Sequence, residues 1–128
     1  MNALKILIVE DDQFLRELYC DVLKAEGYVI DIAIDGQEGL KKIKEGGYDL
    51  VLLDIIMPKI DGLEIMRRIK TDPSALPNKC VIFLTNLDKE EEIKEALHLG
   101  NGYLIKSQIT PGSLVQELKA YLEKFAKA

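Results

Sequence analysis

Apolar positions along the chain alternate between short, near-continuous runs and longer stretches in which they recur every three or four residues. Leu4 to Val9 is the first run, of the kind expected for a parallel strand covered on both faces. Gln13 to Glu26 then carries Phe14, Leu15, Leu18, Val22 and Leu23 at helical spacing, and Gly27 suits the position just past a helix end. Tyr28 to Ile34 reads as a second strand, and Asp35-Gly36 opens a second helix that runs through Leu40 and Ile43 and stops at Gly46-Gly47. Leu50 to Leu53 is a third strand, followed by a loop with Met57-Pro58 and a helix bearing Leu63, Ile65, Met66 and Ile69. Asp72-Pro73 ends that helix, because proline disfavours the helical conformation in the residue before it. Cys80 to Leu84 is the fourth strand, and the next helix runs from about Asp88 to Leu99 with Gly100 as its stop. Tyr103 to Ile105 makes a short fifth strand, and Thr110-Pro111 is the cap and first-turn pair of a last helix carrying Leu114, Val115, Leu118, Leu122 and Phe125.

Five strands alternating with five helices over short connections imply an α/β fold with right-handed crossovers. The expected architecture is a doubly wound, five-stranded parallel sheet of flavodoxin-like type, with strand order 2-1-3-4-5. The chain of 128 residues has no linker, repeat or low-complexity segment, so a single domain over 1–128 without an output domain is expected.

Composition narrows the function. Net charge is -5 and no Lys/Arg cluster could neutralise several phosphates, which argues against direct nucleic-acid binding. No apolar run approaches the roughly 20 residues of a membrane helix, and the first residues enter a strand without signal-peptide architecture, so a cytoplasmic location is expected. Cys20 and Cys80 form neither a redox nor a zinc spacing and read as reduced and buried.

Open parallel sheets place their crevices at the carboxyl ends of the strands. Strand one ends in Glu10-Asp11-Asp12, strand three in Asp54, strand four in Thr85 and strand five in Lys106. Two carboxylates about 4 Å apart repel by about 4 kcal/mol at an effective dielectric of 20, so such a cluster calls for a cation. Hard oxygen ligands favour Mg2+, and Lys106 adds a further positive charge. The constellation reads as phosphoryl transfer onto a carboxylate, a nucleophile that needs no general base. Thr85 is placed to donate its hydroxyl to the phosphoryl group, drawing the following loop inward as a switch.

Val9-Glu10-Asp11-Asp12, Leu53-Asp54-Ile55-Ile56-Met57-Pro58 with Asp61-Gly62, Leu84-Thr85 and Gly102-Tyr103-Leu104-Ile105-Lys106 together resemble the receiver domains of two-component response regulators, over essentially the whole chain. A receiver protein is a standard example of the 2-1-3-4-5 strand order, so that order and the resemblance form one expectation. The resemblance implies Asp54 as phosphoacceptor, Asp11 and Asp12 as the acidic pair that holds Mg2+, and the Ile56 carbonyl as a backbone metal ligand. It implies Thr85 and Lys106 as phosphoryl-binding residues and Tyr103 as an aromatic switch. Its donor would be a phosphohistidine on a sensor histidine kinase or phosphotransfer protein. Its output would be a downstream effector protein, met by a monomer or weak dimer through the fourth helix, fifth strand and fifth helix.

Departures from the family pattern carry their own expectations. Ser107 stands where the family has a proline after a cis bond, and a trans Lys106-Ser107 bond is expected because a cis bond before a non-proline residue costs about 3 to 4 kcal/mol. Asn86 replaces a small residue, and Gly100-Asn101-Gly102-Tyr103 is about one residue short, which could displace Tyr103. Ile56 and Leu87, two residues past Asp54 and Thr85, are apolar and cannot orient water, so slow loss of the phosphoryl group is expected.

Structural roles also compete for these residues. One of Asp11 and Asp12 is expected to cap the following helix, Asp61-Gly62 is a turn and helix start, and Lys89-Glu90-Glu91-Glu92 is a solvated helix face. His98, with no metal-ligand partner at suitable spacing, reads as a surface residue. A flavodoxin-like FMN protein needs a Ser/Thr/Gly-rich phosphate loop where Glu10-Asp11-Asp12 would repel one, and a haloacid-dehalogenase-like phosphatase wants an Asp where Ile56 stands. The remaining alternative is a receiver-fold interaction module that works without phosphorylation. No enzymatic turnover beyond self-phosphorylation and its reversal is expected.

Overall fold

The computed structural model of the chain describes residues 3–86 and 90–126. Its strands are β1 (Lys5–Val9), β2 (Val29–Ala33), β3 (Leu50–Asp54), β4 (Val81–Thr85) and β5 (Gly102–Ile105). They alternate with α1 (Gln13–Ala25), α2 (Gly36–Glu45), α3 (Gly62–Thr71), α4 (Glu90–Leu99) and α5 (Pro111–Phe125). All pairings are parallel and the order is β2-β1-β3-β4-β5, as the sequence pattern implies.

The period-two geometry of a strand divides the core into two layers. Leu7, Val9, Val51, Leu53 and Phe83 face one side and pack with Ile43 of α2, Ile65 and Met66 of α3 and Ala96 of α4. Ile6, Ile8, Leu50, Leu52, Ile82 and Leu84 face the other and pack with Tyr19 and Leu23 of α1 and Leu114, Leu118 and Leu122 of α5. Every residue of β3 and β4 is buried, which is why both segments read as continuous apolar runs rather than alternating ones. Cys20 and Cys80 are free thiols within this core, and burial pushes Cys80 up to about 12, which keeps it unreactive.

Local chemistry sets the helix starts. Asp12, Asp35, Asp61 and Thr110 each accept a backbone N–H at the first turn of α1, α2, α3 and α5, at 2.8 to 3.1 Å. At Thr110 the bond is reciprocal, since Ser113 Oγ accepts the Thr110 N–H at 2.8 Å. None of the described helices is long and apolar enough to cross a membrane.

Several boundaries differ from the pattern reading in ways that matter for function. β3 includes Asp54 beyond its apolar run and β4 is shifted by one to Val81–Thr85, so Asp54 and Thr85 are the buried last residues of their strands, at the strand ends where the sequence puts them. Asp88 and Lys89, expected to start the fourth helix, lie outside the described residues. A 3-10 turn at Lys106–Gln108, closed by Ile109 N–H to the Lys106 carbonyl, was not legible in the periodicity. Among the described residues no peptide bond is cis, so Lys106-Ser107 is trans as expected.

The short connection before β5 is explained by Asn101. Its backbone N–H donates to Val81 O at 2.8 Å and its side-chain oxygen accepts the Val81 N–H at 2.7 Å, so one residue does the pairing of two. Gly102 follows because the Tyr121 ring and hydroxyl occupy the space a Cβ would need. Tyr103 nevertheless keeps strand register, opposite Phe83.

Candidate functional site

Glu10, Asp54 and Thr85 are the buried polar and charged residues among those described, at 0%, 3% and 3% exposure, and all lie at the carboxyl edge of the sheet. Glu10 extends β1, its N–H donating to Ala33 O at 3.2 Å. Oxygens of Glu10, Asp11 and Asp54 lie within 4.8 Å of one another. Lys106 reaches across from β5, donating a hydrogen bond from Nζ to Asp54 Oδ2 at 2.7 Å and standing 2.6 Å from Glu10 Oε1. That second contact is an ion pair without hydrogen-bond direction, and it leaves Glu10 Oε1 without a hydrogen-bond donor among the described residues.

The surrounding backbone holds these groups in place. Ile55 N–H donates to Leu84 O at 3.0 Å, extending the ladder past Asp54, and Gly62 N–H donates to Ile55 O at 2.7 Å. Gly62 is required there, since a Cβ would collide with the Asp54 carbonyl. The Arg16 guanidinium donates to the Glu10 carbonyl at 2.9 Å and to the Asp11 carbonyl at 3.4 Å, which clamps the turn carrying two of the carboxylates. Lys59, in the left-handed region at φ 73°, ties the loop after β3 to α2 through Asp35 at 2.9 Å.

Electrostatics show the cost of the cluster. Burial, reinforced by the neighbouring Asp54 carboxylate, pushes Glu10 from 4.5 up to about 7, against the pull of Lys106. Asp11 is raised too, by burial and then by its contact with Glu10. Burial alone would lower Lys106, but Asp54 and Glu10 outweigh it and hold the ammonium above its ordinary value.

Of the residues singled out in the sequence, Asp11, Asp54 and Lys106 come together, and Thr85 is buried on the adjoining strand. Asp12 does not join them: its carboxylate caps α1, accepting the Leu15 N–H at 3.0 Å. The acidic pair beside Asp54 is therefore Glu10 and Asp11, one residue earlier than the pair the resemblance implies. The signal was available, because an acid that directly continues an apolar strand is buried with it, whereas the acid directly before the first helical residue is the cap. Ile56 presents its side chain to solvent at 60% exposure, Tyr103 packs half-buried against the core layer of α3 and α4, and Leu87 lies outside the described residues. Glu92 departs from the solvated face assigned to it: it is half-buried and accepts the Thr85 hydroxyl at 3.4 Å.

Fold and site together define a flavodoxin-like α/β protein with a lysine-bridged acidic cluster at the strand ends. Residues 6–119 match the family of response regulator receiver domains, and the chain belongs to it. It is 36% identical over 123 residues to the transcriptional regulatory protein ResD of Bacillus subtilis (strain 168), covering 96% of this chain and 50% of that protein. To the chemotaxis protein CheY of Treponema pallidum (strain Nichols) it is 39% identical over 106 residues, covering 80% and 72%. The solved CheY-like receiver domain protein of Methanospirillum hungatei JF-1 superposes with a TM-score of 0.83 at 30% identity, covering 96% of both chains. The chain thus spans half the length of ResD, and it spans 15% of the Myxococcus xanthus gliding motility regulatory protein, to which it is 34% identical over 118 residues.

Proposed function

We propose that the chain is the phosphoacceptor switch of a two-component phosphorelay, in which Asp54 takes a phosphoryl group from a phosphohistidine of a sensor kinase or phosphotransfer protein. The observation that carries this reading is the Lys106 ammonium set between Asp54 and Glu10, with Asp11 alongside.

The donor set fits Mg2+. Three carboxylates face one ammonium, all candidate ligand atoms are hard oxygens, and buried Glu10 Oε1 lacks a directed donor among the described residues. Glu10, Asp11, Asp54 and the Ile56 carbonyl would hold the ion, with Asp12 left to its cap. Bound there, Mg2+ supplies the positive charge that neutralises the oxygens of the transferring group. A carboxylate oxygen of Asp54 forms the new O–P bond as the N–P bond to the donor imidazole breaks, and the imidazole leaves with that electron pair. Lys106, already in contact with the acceptor, steadies the charge on the group once attached. Thr85 donates its hydroxyl to that group, and Tyr103 follows the vacated space, changing the α4, β5 and α5 face met by a downstream effector protein.

A switch of this kind turns over no free substrate and works as a cytoplasmic monomer or weak dimer without direct contact to nucleic acid. Intact mass after incubation with Mg2+ and acetyl phosphate tests the reading. An added phosphate that requires both Mg2+ and Asp54, absent in Asp54→Asn, is the expected result. A folded wild type that takes none would turn the proposal to an interaction module working without phosphorylation.

A further inference from the structure

Thr85 ends β4 almost fully buried, and its Oγ1 donates to Glu92 Oε1 at 3.4 Å across the connection to α4. A hydroxyl carries one hydrogen, so donation to Glu92 and donation to a phosphoryl oxygen exclude each other. The bond is long for a hydroxyl donating to a carboxylate and is easily exchanged for a shorter one.

Glu92 also differs from its neighbours. Glu90 and Glu91 are exposed, while Glu92 is half-buried on the α4 face that carries Glu95, Ala96 and Leu99. Glu95, one turn on, is held to α3 by Arg67 Nε at 2.6 Å. The second turn of α4 is thus tied to α3, and its first turn is tied to Thr85.

We infer that Glu92 is a positioning residue: its carboxylate holds the Thr85 hydroxyl in the resting state, competes with a phosphoryl group for that hydrogen, and passes the loss of the bond to the first turn of α4. Loss of the hydrogen bond leaves a carboxylate facing a newly arrived anion, and repulsion moves the start of α4 away from the site. The inference rests on the phosphoacceptor reading and adds to it the element through which occupancy of the site is felt.

Beryllofluoride with Mg2+ serves as the phosphoryl stand-in, with affinity measured by calorimetry for wild type, Glu92→Ala, Thr85→Ala and the double variant. Removing the Glu92 acceptor should tighten beryllofluoride binding by about fivefold in Glu92→Ala, the worth of one ordinary hydrogen bond. Affinity for Mg2+ alone should stay unchanged, and Glu92→Gln, which keeps an acceptor, should recover part of the wild-type behaviour. In the Thr85→Ala background the gain should shrink to the small part that charge repulsion alone supplies. Equal tightening in both backgrounds would show a through-space charge effect and overturn the latch, as would no tightening in a folded Glu92→Ala protein. A wild type that binds no beryllofluoride would remove the phosphoacceptor reading and the latch together.

Discussion

Glu10 is fully buried at the end of β1 with its Oε1 2.6 Å from Lys106 Nζ, yet its carboxyl is pushed up to about 7. The ammonium therefore offsets only part of what burial and Asp54 impose. Between pH 4.5 and about 7 the folded chain binds more protons than the unfolded chain, so without metal its stability falls as pH rises through that window. Glu10→Gln should remove this slope and stabilise the metal-free protein at pH 8 by on the order of 2 kcal/mol, while weakening Mg2+ binding more than tenfold. Urea unfolding at pH 5 and pH 8, with and without Mg2+, reads both effects, and a slope unchanged by the substitution would refute this account of Glu10.

Asp12 and Asp11 should separate cleanly despite being adjacent. Asp12→Ala removes the α1 cap and should cost about 1 kcal/mol of stability with little change in Mg2+ affinity. Asp11→Asn should do the reverse, leaving stability nearly intact while weakening the ion. Calorimetric titration of both variants with Mg2+ decides the matter, and a large loss of affinity in Asp12→Ala would return Asp12 to the metal site.

Phosphate loss should be slow. Ile56 is largely exposed beside Asp54, and its sec-butyl side chain offers an attacking water no hydrogen bond. Ile56→Gln should shorten the lifetime of the phosphorylated form severalfold without affecting the fold, as followed by intact mass over time. An unchanged lifetime would mean that water access is controlled elsewhere.

A network away from the site should govern stability alone. Tyr48 Oη donates to Asp31 Oδ2 at 2.6 Å and Lys42 Nζ to Asp31 Oδ1 at 3.0 Å. Burial raises Asp31, but these two bonds, together with the Ile32 N–H and the charge of Lys42, outweigh it and hold the carboxyl below 3.8. A lowered folded value stabilises above the unfolded value and is lost as pH falls through the folded one, so the contribution should fade below about pH 4. Tyr48→Phe should cost about 1 kcal/mol at neutral pH, lose less on acidification than wild type, and leave phosphorylation at Asp54 untouched.

The fold was legible because helical periodicity alternates with short continuous apolar runs, and because the caps at Asp12, Asp35, Asp61 and Thr110 mark helix starts chemically. Asp54 and Lys106 were legible because strand ends concentrate chemistry in a doubly wound sheet. Glu10 was not singled out because three consecutive acids look alike in sequence, and only the strand's burial and the first helical turn tell them apart. Glu92 read as solvated because periodicity reports a face of a helix, not which residue of the sheet that face meets. Asn101 was invisible for a related reason: side chain standing in for backbone leaves no periodic trace.

The β5–α5 connection combines a trans Lys106-Ser107 bond, a 3-10 turn and a reciprocal cap at Thr110 and Ser113. Lys106 anchors one end through Asp54 and Glu10, and Thr110 fixes the other, so the span is held at both piers. Of the side chains between, Ile109 packs against the core layer of α1 and α5, while Ser107 and Gln108 are exposed. The outward surface at Ser107 and Gln108 can therefore be rewritten to suit a new acquaintance while the anchors that hold the acidic edge stay in place.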